Sequence, residues 1–520
     1  MPRTGIVTGM DGQTIAGLDT EALERARSSR DPRFDGKFFI AVSTTGIYCR
    51  PICPSRYAKR ANVRFFVSPA AAETAGFRPC RRCRPEAAPG TPAWLGTGAV
   101  VRRAMRLIGD GALDEESVAA LALRLGIGPR HLLRLFLRHV GASPLAVAQT
   151  RRLHFAACLL EQTSLPITQV ALAAGFGSSR RFNDAFAKTY RRPPRELRRS
   201  ARHGAGGERG GEVVMRLAYR PPYDWAHMLS FLATRAVPGV ERVDGRGYAR
   251  TVASDGGHAS ICVNAVPGED ALELRVSGAQ PGALLQLSTI ARRVFDLSAD
   301  PARIQAELSA DPLVAALVRQ RPGLRIPGMW DPFECAVRAV LGQQVSVAAG
   351  RTFAARLVAH AGSPVRGGAD GLTHLFPTPA RLAAATLDRV GLTGARARTV
   401  RALALAARDG TVDFAATPAE LCAALTAVPG IGPWTAQYVL LRALGEPDAL
   451  PSADLVLRRL AAAGEELLSG PQLEVRSQRW RPWRGYAVMH LWGAAAATAA
   501  TPASTRKHSP LTTRTRRRQR

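Results

Sequence analysis

Two sets of residues in this 520-residue chain have types and spacings that suit chemistry. The first is a double pair of cysteines. Cys49 and Cys53 are three residues apart, Cys80 and Cys83 two, and 26 residues separate the pairs. Each short spacing lets two thiolates reach one tetrahedral ion, and four sulfurs complete a zinc shell. Four thiolates around a divalent ion leave a charge of roughly −2, which makes each sulfur electron-rich and nucleophilic. The spacing fits a closed structural site, and the charge leaves reactivity open. The second set lies in ALTAVPGIGPWTAQYVLLRALGEPDALPSADLVLRR. Gly430 and Gly432 permit a tight hairpin that can come close to a partner. A helix starting near Trp434 then aims free N–H groups outward, a ready phosphate site. Some twenty residues further on, Asp454 is placed to cap another helix. One carboxylate can serve as cap and catalyst together.

The totals bound the partners. Lys+Arg 71 against Asp+Glu 41 gives +30, a field that favours polyanions. The charge is almost all arginine, since Lys37, Lys59, Lys188 and Lys507 are the only lysines, so arginine content alone argues weakly for DNA. Eight cysteines in this length make no disulfide scaffold, and Cys158, Cys262, Cys335 and Cys422 are scattered among apolar neighbours. The first residues hold no apolar signal core and no run reaches membrane-spanning length. The expectation is a reduced, cytoplasmic protein of three or four domains with no membrane partner.

The elements that must position these residues fall into blocks. In residues 1–90, Asp35-Gly36-Lys37-Phe38, TTGIYCRPIC and FRPCRRC resemble the zinc domain of the Ada alkylation-response proteins over about sixty residues. The resemblance implies that Cys49 accepts a methyl group irreversibly from a DNA methylphosphotriester and stays a ligand beside Cys53, Cys80 and Cys83. Methylation removes one negative charge, so affinity for DNA should rise. In residues 95–200, a Pro/Gly-rich linker leads to two units of short helix, turn and amphipathic helix: VAALALRLG with RHLLRLFLRHVG, and ITQVALAAG with SRRFNDAFAKTY. Two in tandem, with Gly141-Ala142-Ser143-Pro144 and Gly175-Phe176, resemble the AraC-type DNA-binding domain. Recognition helices present their early residues to the major groove. That points to Arg130, His131 and Arg134, then Ser179, Arg180 and Asn183, as base or phosphate contacts. Arg191 departs from the pattern, which often has glycine there.

Residues 201–212 read as a flexible linker. Residues 213–300 read as a small α+β domain, with ASICVNAV and ALELRVSG as strands and LSTIARRVFDL as a helix. PPYDW and FLATRAV resemble the amino-terminal domain of AlkA-type 3-methyladenine DNA glycosylases, and Phe231 matches a base-pocket position or is an ordinary core aromatic. Residues 301–495, with RPGLRIPGMWDPFECAVRAVLGQQVSVAAG, the hairpin, Asp454 and WRPWRGYAVMHLWG, extend that resemblance into an all-α helix-hairpin-helix domain. Residues 496–520 read as a basic disordered tail with seven Lys or Arg and no acid beyond Thr501. The fold class expected is multidomain, mainly α with α+β parts.

Breaking a base–sugar bond develops oxocarbenium character, which a carboxylate beneath the sugar stabilises. The resemblance assigns that role to Asp454. A base alkylated on a ring nitrogen is cationic, leaves readily, and suits aromatic faces. Trp434, Tyr438 and Trp492 match the family's pocket. Flipping the base needs a wedge. Where the AlkA-type pattern has leucine after LGQ, this chain has Gln344, with Gln343 as the alternative. No lysine lies between Lys188 and Lys507, so no lysine Schiff base can form there and a monofunctional glycosylase is expected. That half has no four-cysteine cluster, so no iron–sulfur centre is expected. The Pro-Cys-His-Arg motif of the Ada alkylguanine methyltransferase is absent, so guanine-oxygen repair is not expected. The reading is a regulator and repair enzyme acting on double-stranded DNA, with one zinc ion. Its rival is a regulator whose glycosylase half binds DNA without activity. A methylated Cys49 could recruit RNA polymerase or only tighten DNA binding, and the residues leave both open.

Overall fold

The computed structural model describes residue 15 and residues 18–500, apart from 89–98, 115, 201–211, 255–256, 367–369 and 465. Most of the linker at 201–212 and the basic stretch beyond residue 500 lie outside the described residues.

Around the cysteines, strands Val63–Phe66, Phe39–Val42, Ile47–Cys49 and Arg78–Pro79 form one sheet in that spatial order. The last two pair in parallel and the others antiparallel. Strand alternation splits the apolar residues between two faces. Phe39, Ala41, Tyr48 and Phe66 pack with the helix Pro69–Thr74, while Phe38, Ile40, Val63 and Phe65 pack with Thr20–Ser29.

The two helix-turn-helix units are Val118–Arg124 with Pro129–His139, and Ile167–Ala173 with Ser179–Tyr190, joined by the long helix Pro144–Gln162. Pro129 stands in the first turn of its helix and Ser178 caps the other, accepting from Arg181 N–H at 3.5 Å. Gly141 ends the first recognition helix at φ +72°, and Arg191 takes the same left-handed turn at φ +55° after the second. Its N–H donates to Ala187 O at 2.9 Å, so the cap keeps its shape without glycine.

Beyond the linker, an antiparallel five-stranded sheet runs in the order Glu212–Ala218, Ala271–Ser277, Gly257–Ala265, Gly247–Ser254, Glu241–Asp244. The expected strands and the helix Leu284–Val294 are present. The cores do not follow the sequence blocks. Phe182 and Phe186 of the second helix-turn-helix unit, with Leu153 of the joining helix and Leu197 just after the unit, share one core with Met215, Leu217, Tyr248 and Leu274 of the sheet. Two small apolar surfaces gain burial by merging. The first unit keeps its own core, with Leu121, Leu132 and Phe136. Phe231, from the helix Trp225–Ala233, joins the large helical core around Val337, Val439 and Trp483 instead of the sheet core. The last helix, Arg484–Ala500, runs five residues into the stretch read as tail. Architecture is therefore mainly α with α+β parts.

Candidate functional site

Strand pairing builds the cysteine site. Cys49 ends its strand, and Cys80 N–H donates to Tyr48 O at 2.9 Å, which brings the second pair beside the first. The four Sγ atoms lie within 4.8 Å of one another. Cys80 and Cys83 are buried, whereas Cys49 and Cys53 are partly open. Hydrogen bonding with Cys49 pulls the Cys53 pKa below the ordinary thiol value and pushes that of Cys83 above it. Sulfurs this close cannot all be charged unless a cation sits among them, and the donor set is that of a tetrahedral zinc site. Arg50 N–H donates to Cys83 Sγ at 3.3 Å, and the Arg50 guanidinium is fixed by Asp35 Oδ1 at 2.8 Å.

The second site forms where three helices meet. Helix Pro418–Ala427 ends before the hairpin, and Pro433–Ala443 follows it. Gly430 sits at φ +89°, and a Cβ there would collide with Thr399 Oγ1; Gly432 has open space on its Cβ side. Asp454 caps the helix Leu455–Ala461, its Oδ1 accepting from Leu457 N–H at 2.9 Å. Trp434 Nε1–H donates to Asp454 Oδ2 at 2.9 Å, and Trp492 Nε1–H lies 3.4 Å from Oδ1. The three N–H groups hold a half-buried carboxylate in one orientation. Trp434 stacks on Tyr438 with centroids 5.4 Å apart at 14°, and Trp492 is 6.1 Å from Tyr438.

Arg442, on the same helix face as Trp434 and Tyr438, donates to Tyr438 Oη at 2.8 Å. Phe231 is 8% exposed, and its ring lies 4.6 Å from the Arg442 guanidinium and 3.8 Å from that of Arg235. It reaches the aromatic group through these two arginines. Burial pushes the Arg235 pKa below the ordinary arginine value. The sequence reading missed both arginines; the i, i+4, i+8 run Trp434, Tyr438, Arg442 was the signal available for one of them. The two glutamines part company. Gln343 Nε2 donates to Gly430 O and Thr435 Oγ1, both at 3.0 Å, and so braces the hairpin. Gln344 is exposed, at φ +54°.

Arg130, His131, Arg134, Ser179, Arg180 and Asn183 are all exposed at the starts of the two recognition helices, with Arg134 Nη2 2.7 Å from His131 Nδ1. Among the described residues, no helix is long and apolar enough to cross a membrane.

A four-thiolate zinc site, tandem helix-turn-helix units and a helix-hairpin-helix domain with a capping aspartate define a multidomain DNA-directed protein. Family models match in the same order: the metal-binding domain of Ada at residues 22–86, a helix-turn-helix domain at 121–200 and the AlkA N-terminal domain at 214–331. The chain is 43% identical over 91% of its length to the probable bifunctional transcriptional activator/DNA repair enzyme AlkA of Mycobacterium tuberculosis, covering 96% of that protein. It is 37% identical to DNA-3-methyladenine glycosylase 2 of Escherichia coli, across 53% of this chain and 95% of that one. With the bifunctional transcriptional activator/DNA repair enzyme Ada of Escherichia coli it shares 42% identity, over 24% of this chain and 34% of that protein. The chain belongs to the family of bifunctional transcriptional activator/DNA repair enzymes named AlkA, and carries one zinc ion on Cys49, Cys53, Cys80 and Cys83.

Proposed function

We propose that the chain repairs alkylated DNA at two centres and uses one of them to switch on transcription. The observation that carries the repair reading is the Asp454 carboxylate, held by Trp434 N–H and Leu457 N–H beside the stacked Trp434–Tyr438 pair. An alkylated purine, cationic and flipped from the duplex, stacks on Trp434, Tyr438 and Trp492, with Phe231 behind them. The bond from C1′ to the base nitrogen breaks with its electron pair going to the base, which leaves neutral. Asp454 stabilises the oxocarbenium ion, orients a water onto C1′, and takes up the proton the water releases. Gln344 fills the vacated space, Gln343 braces the hairpin, and the hairpin N–H groups between Gly430 and Gly432 hold a phosphate. With no lysine in this half, the product is an intact abasic site.

At the other centre, the Cys49 sulfur attacks the methyl carbon of a DNA methylphosphotriester. The S–C bond forms as the C–O bond breaks, and the phosphodiester oxygen keeps the electron pair. Zinc keeps the four sulfurs deprotonated near neutral pH. The greater openness of Cys49 and Cys53 over Cys80 and Cys83 supports an acceptor in the first pair. Loss of one negative charge then strengthens promoter binding through Arg130, His131, Arg134, Ser179, Arg180 and Asn183. Recruitment of RNA polymerase by the DNA-bound form, in the cytoplasm, completes the reading.

The test is release of methyladenine from methylated duplex DNA by wild type and Asp454→Asn. Wild type should free the base and leave the strand unbroken, while the variant binds without cleaving. If wild type binds and releases nothing, the glycosylase reading fails and a regulator remains.

A further inference from the structure

A cleft of about 1180 Å³ opens where the zinc domain, the first helix-turn-helix unit, the α+β domain and the hairpin domain meet. It is lined by eight Lys or Arg side chains against four carboxylates, and three of the cations face acids just outside the lining: Lys37 meets Asp300 at 2.5 Å, and Arg103 and Arg151 lie 3.8 Å from Glu420 and Asp114. The lining carboxylates are partly spent. Asp448 takes Arg484 at 2.7 Å and Asp110 takes Arg293 at 3.2 Å. Burial raises the Asp296 carboxyl to about 6, and Tyr486 O–H donates to it at 2.8 Å. Other arginines reach mostly uncharged oxygens. Arg106 Nη2 donates to Ala416 O at 3.0 Å, and Arg292 Nη1 lies 3.4 Å from Ala218 O. Arg151 Nη2 donates to Thr289 Oγ1 at 3.0 Å, with Asp114 3.8 Å from Nη1. Among the described residues, the buried Arg151 Nη1 and Arg293 Nε have no hydrogen-bond partner. Buried, under-neutralised guanidinium groups are costly unless an anion joins them.

Apolar side chains line it as well, among them Met105, Ile108, Val140, Leu440 and Leu444. The volume is slightly above the ~300–1,000 Å³ typical of small-molecule sites and is too small to enclose a double helix. Arginine forks suit phosphate oxygens, and apolar side chains suit a flat base. From this pairing of guanidinium groups bonded mainly to uncharged oxygens with apolar side chains, we propose that the cleft binds a nucleoside polyphosphate, its phosphates on Arg151, Arg292 and Arg106. Asp454, Trp434, Tyr438 and Trp492 do not line the cleft, although Leu440 and Leu444 continue the chain of the helix that carries Trp434 and Tyr438. All four domains line the cleft, so a ligand seated there bridges parts that the sequence divides.

The probe is ATP without magnesium, titrated calorimetrically into the full-length zinc-loaded protein. The comparison sets wild type beside Arg151→Gln with Arg292→Gln, and beside Arg180→Gln with Arg181→Gln on the exposed recognition helix. One ATP per chain is expected, with at least tenfold weaker binding in the cleft variant, unchanged binding in the helix variant, and a higher wild-type melting temperature with ATP. Inorganic triphosphate should compete but more weakly; affinity equal to that of ATP overturns the base-binding role of the apolar side chains. Equal binding by all three proteins, or several weak sites per chain, overturns the proposal. Should the cleft variant fold poorly, azido-ATP cross-linking of wild type decides. Labelled peptides from residues 102–109 or 440–449 support the site, and labelling confined to the recognition helices rejects it.

Discussion

Asp454 carries three jobs that one carboxylate can hold together: it caps a helix, fixes two indole rings, and faces the space those rings border. Replacing it by Asn keeps an oxygen for Leu457 N–H but removes the charge. Base release should fall by about 10²- to 10³-fold while DNA affinity stays within a few-fold. Single-turnover release together with binding anisotropy separates the two. Trp434 offers a finer test. Trp434→Phe keeps a stacking ring over Tyr438 and deletes the N–H that donates to Asp454 at 2.9 Å. A hydrogen bond to a charged group contributes about 1.5–3 kcal/mol, so kcat should drop about tenfold or more with KM little changed. A pure stacking role would leave kcat unchanged in the Phe variant. Tyr438 differs again, because Arg442 already donates to its hydroxyl oxygen, leaving its O–H free to turn elsewhere.

Helix ends and turns decide whether those residues arrive in place. Gly430 has both a left-handed φ of +89° and Thr399 Oγ1 where a Cβ would stand. Gly430→Ala should therefore cost about 2 kcal/mol or more in denaturant unfolding of the glycosylase half, from strain and a core clash together. Arg191 is the opposite case. It pays the left-handed penalty at φ +55° on an exposed turn. Arg191→Gly removes a strain of about 1–2 kcal/mol and adds back part of that as chain entropy. A net gain of about 0.5–1 kcal/mol should show as a higher melting temperature, with the Ser179–Tyr190 helix unchanged.

The whole molecule is tied together by polar contacts between its parts. Glu73 accepts from Tyr48 O–H and Thr150 O–H, each at 2.8 Å, and stands 3.1 Å from His154, joining the zinc sheet to the long helix Pro144–Gln162. Lys37 meets Asp300 at 2.5 Å, and the fully buried Arg220 donates to Asp35 O at 2.7 Å. Chelating the zinc should thus lower the melting temperature of more than the first 88 residues, and hydrogen exchange along Pro144–Gln162 should rise. Asp296 sets a pH dependence at the same scale. Burial raises its pKa from 3.8 to about 6, while Tyr486 O–H donates to it at 2.8 Å. The folded state therefore favours the neutral carboxyl. That stability is present below about pH 4 and is lost as pH rises through about 6. Asp296→Asn should be the more stable protein by about 2 kcal/mol at pH 8, with the difference gone near pH 4. Denaturant midpoints at the two pH values measure it.

Much was legible in the residues because it is local. Spacing pointed to one zinc shell because the two thiols of each pair, Cys49 with Cys53 and Cys80 with Cys83, can reach a common ion, and the pairing of two strands then set the pairs side by side. The hairpin glycines, the cap at Asp454 and the tandem helix-turn-helix periodicity depend on neighbours within a few turns, and the chain alone determined them. What only the tertiary structure decided depends on residues far apart. Gln343 and Gln344 are adjacent and alike in sequence, and it took the hairpin some 87 positions away to hold one and leave the other exposed. Phe231 belongs by sequence to the α+β domain, yet packs in the helical core beneath Arg442. The merged core of the sheet and the second helix-turn-helix unit, and the arginine-lined cleft, arise between blocks that sequence divides. No short-range pattern encodes such surfaces, because burial there is decided by which faces meet once each block has folded.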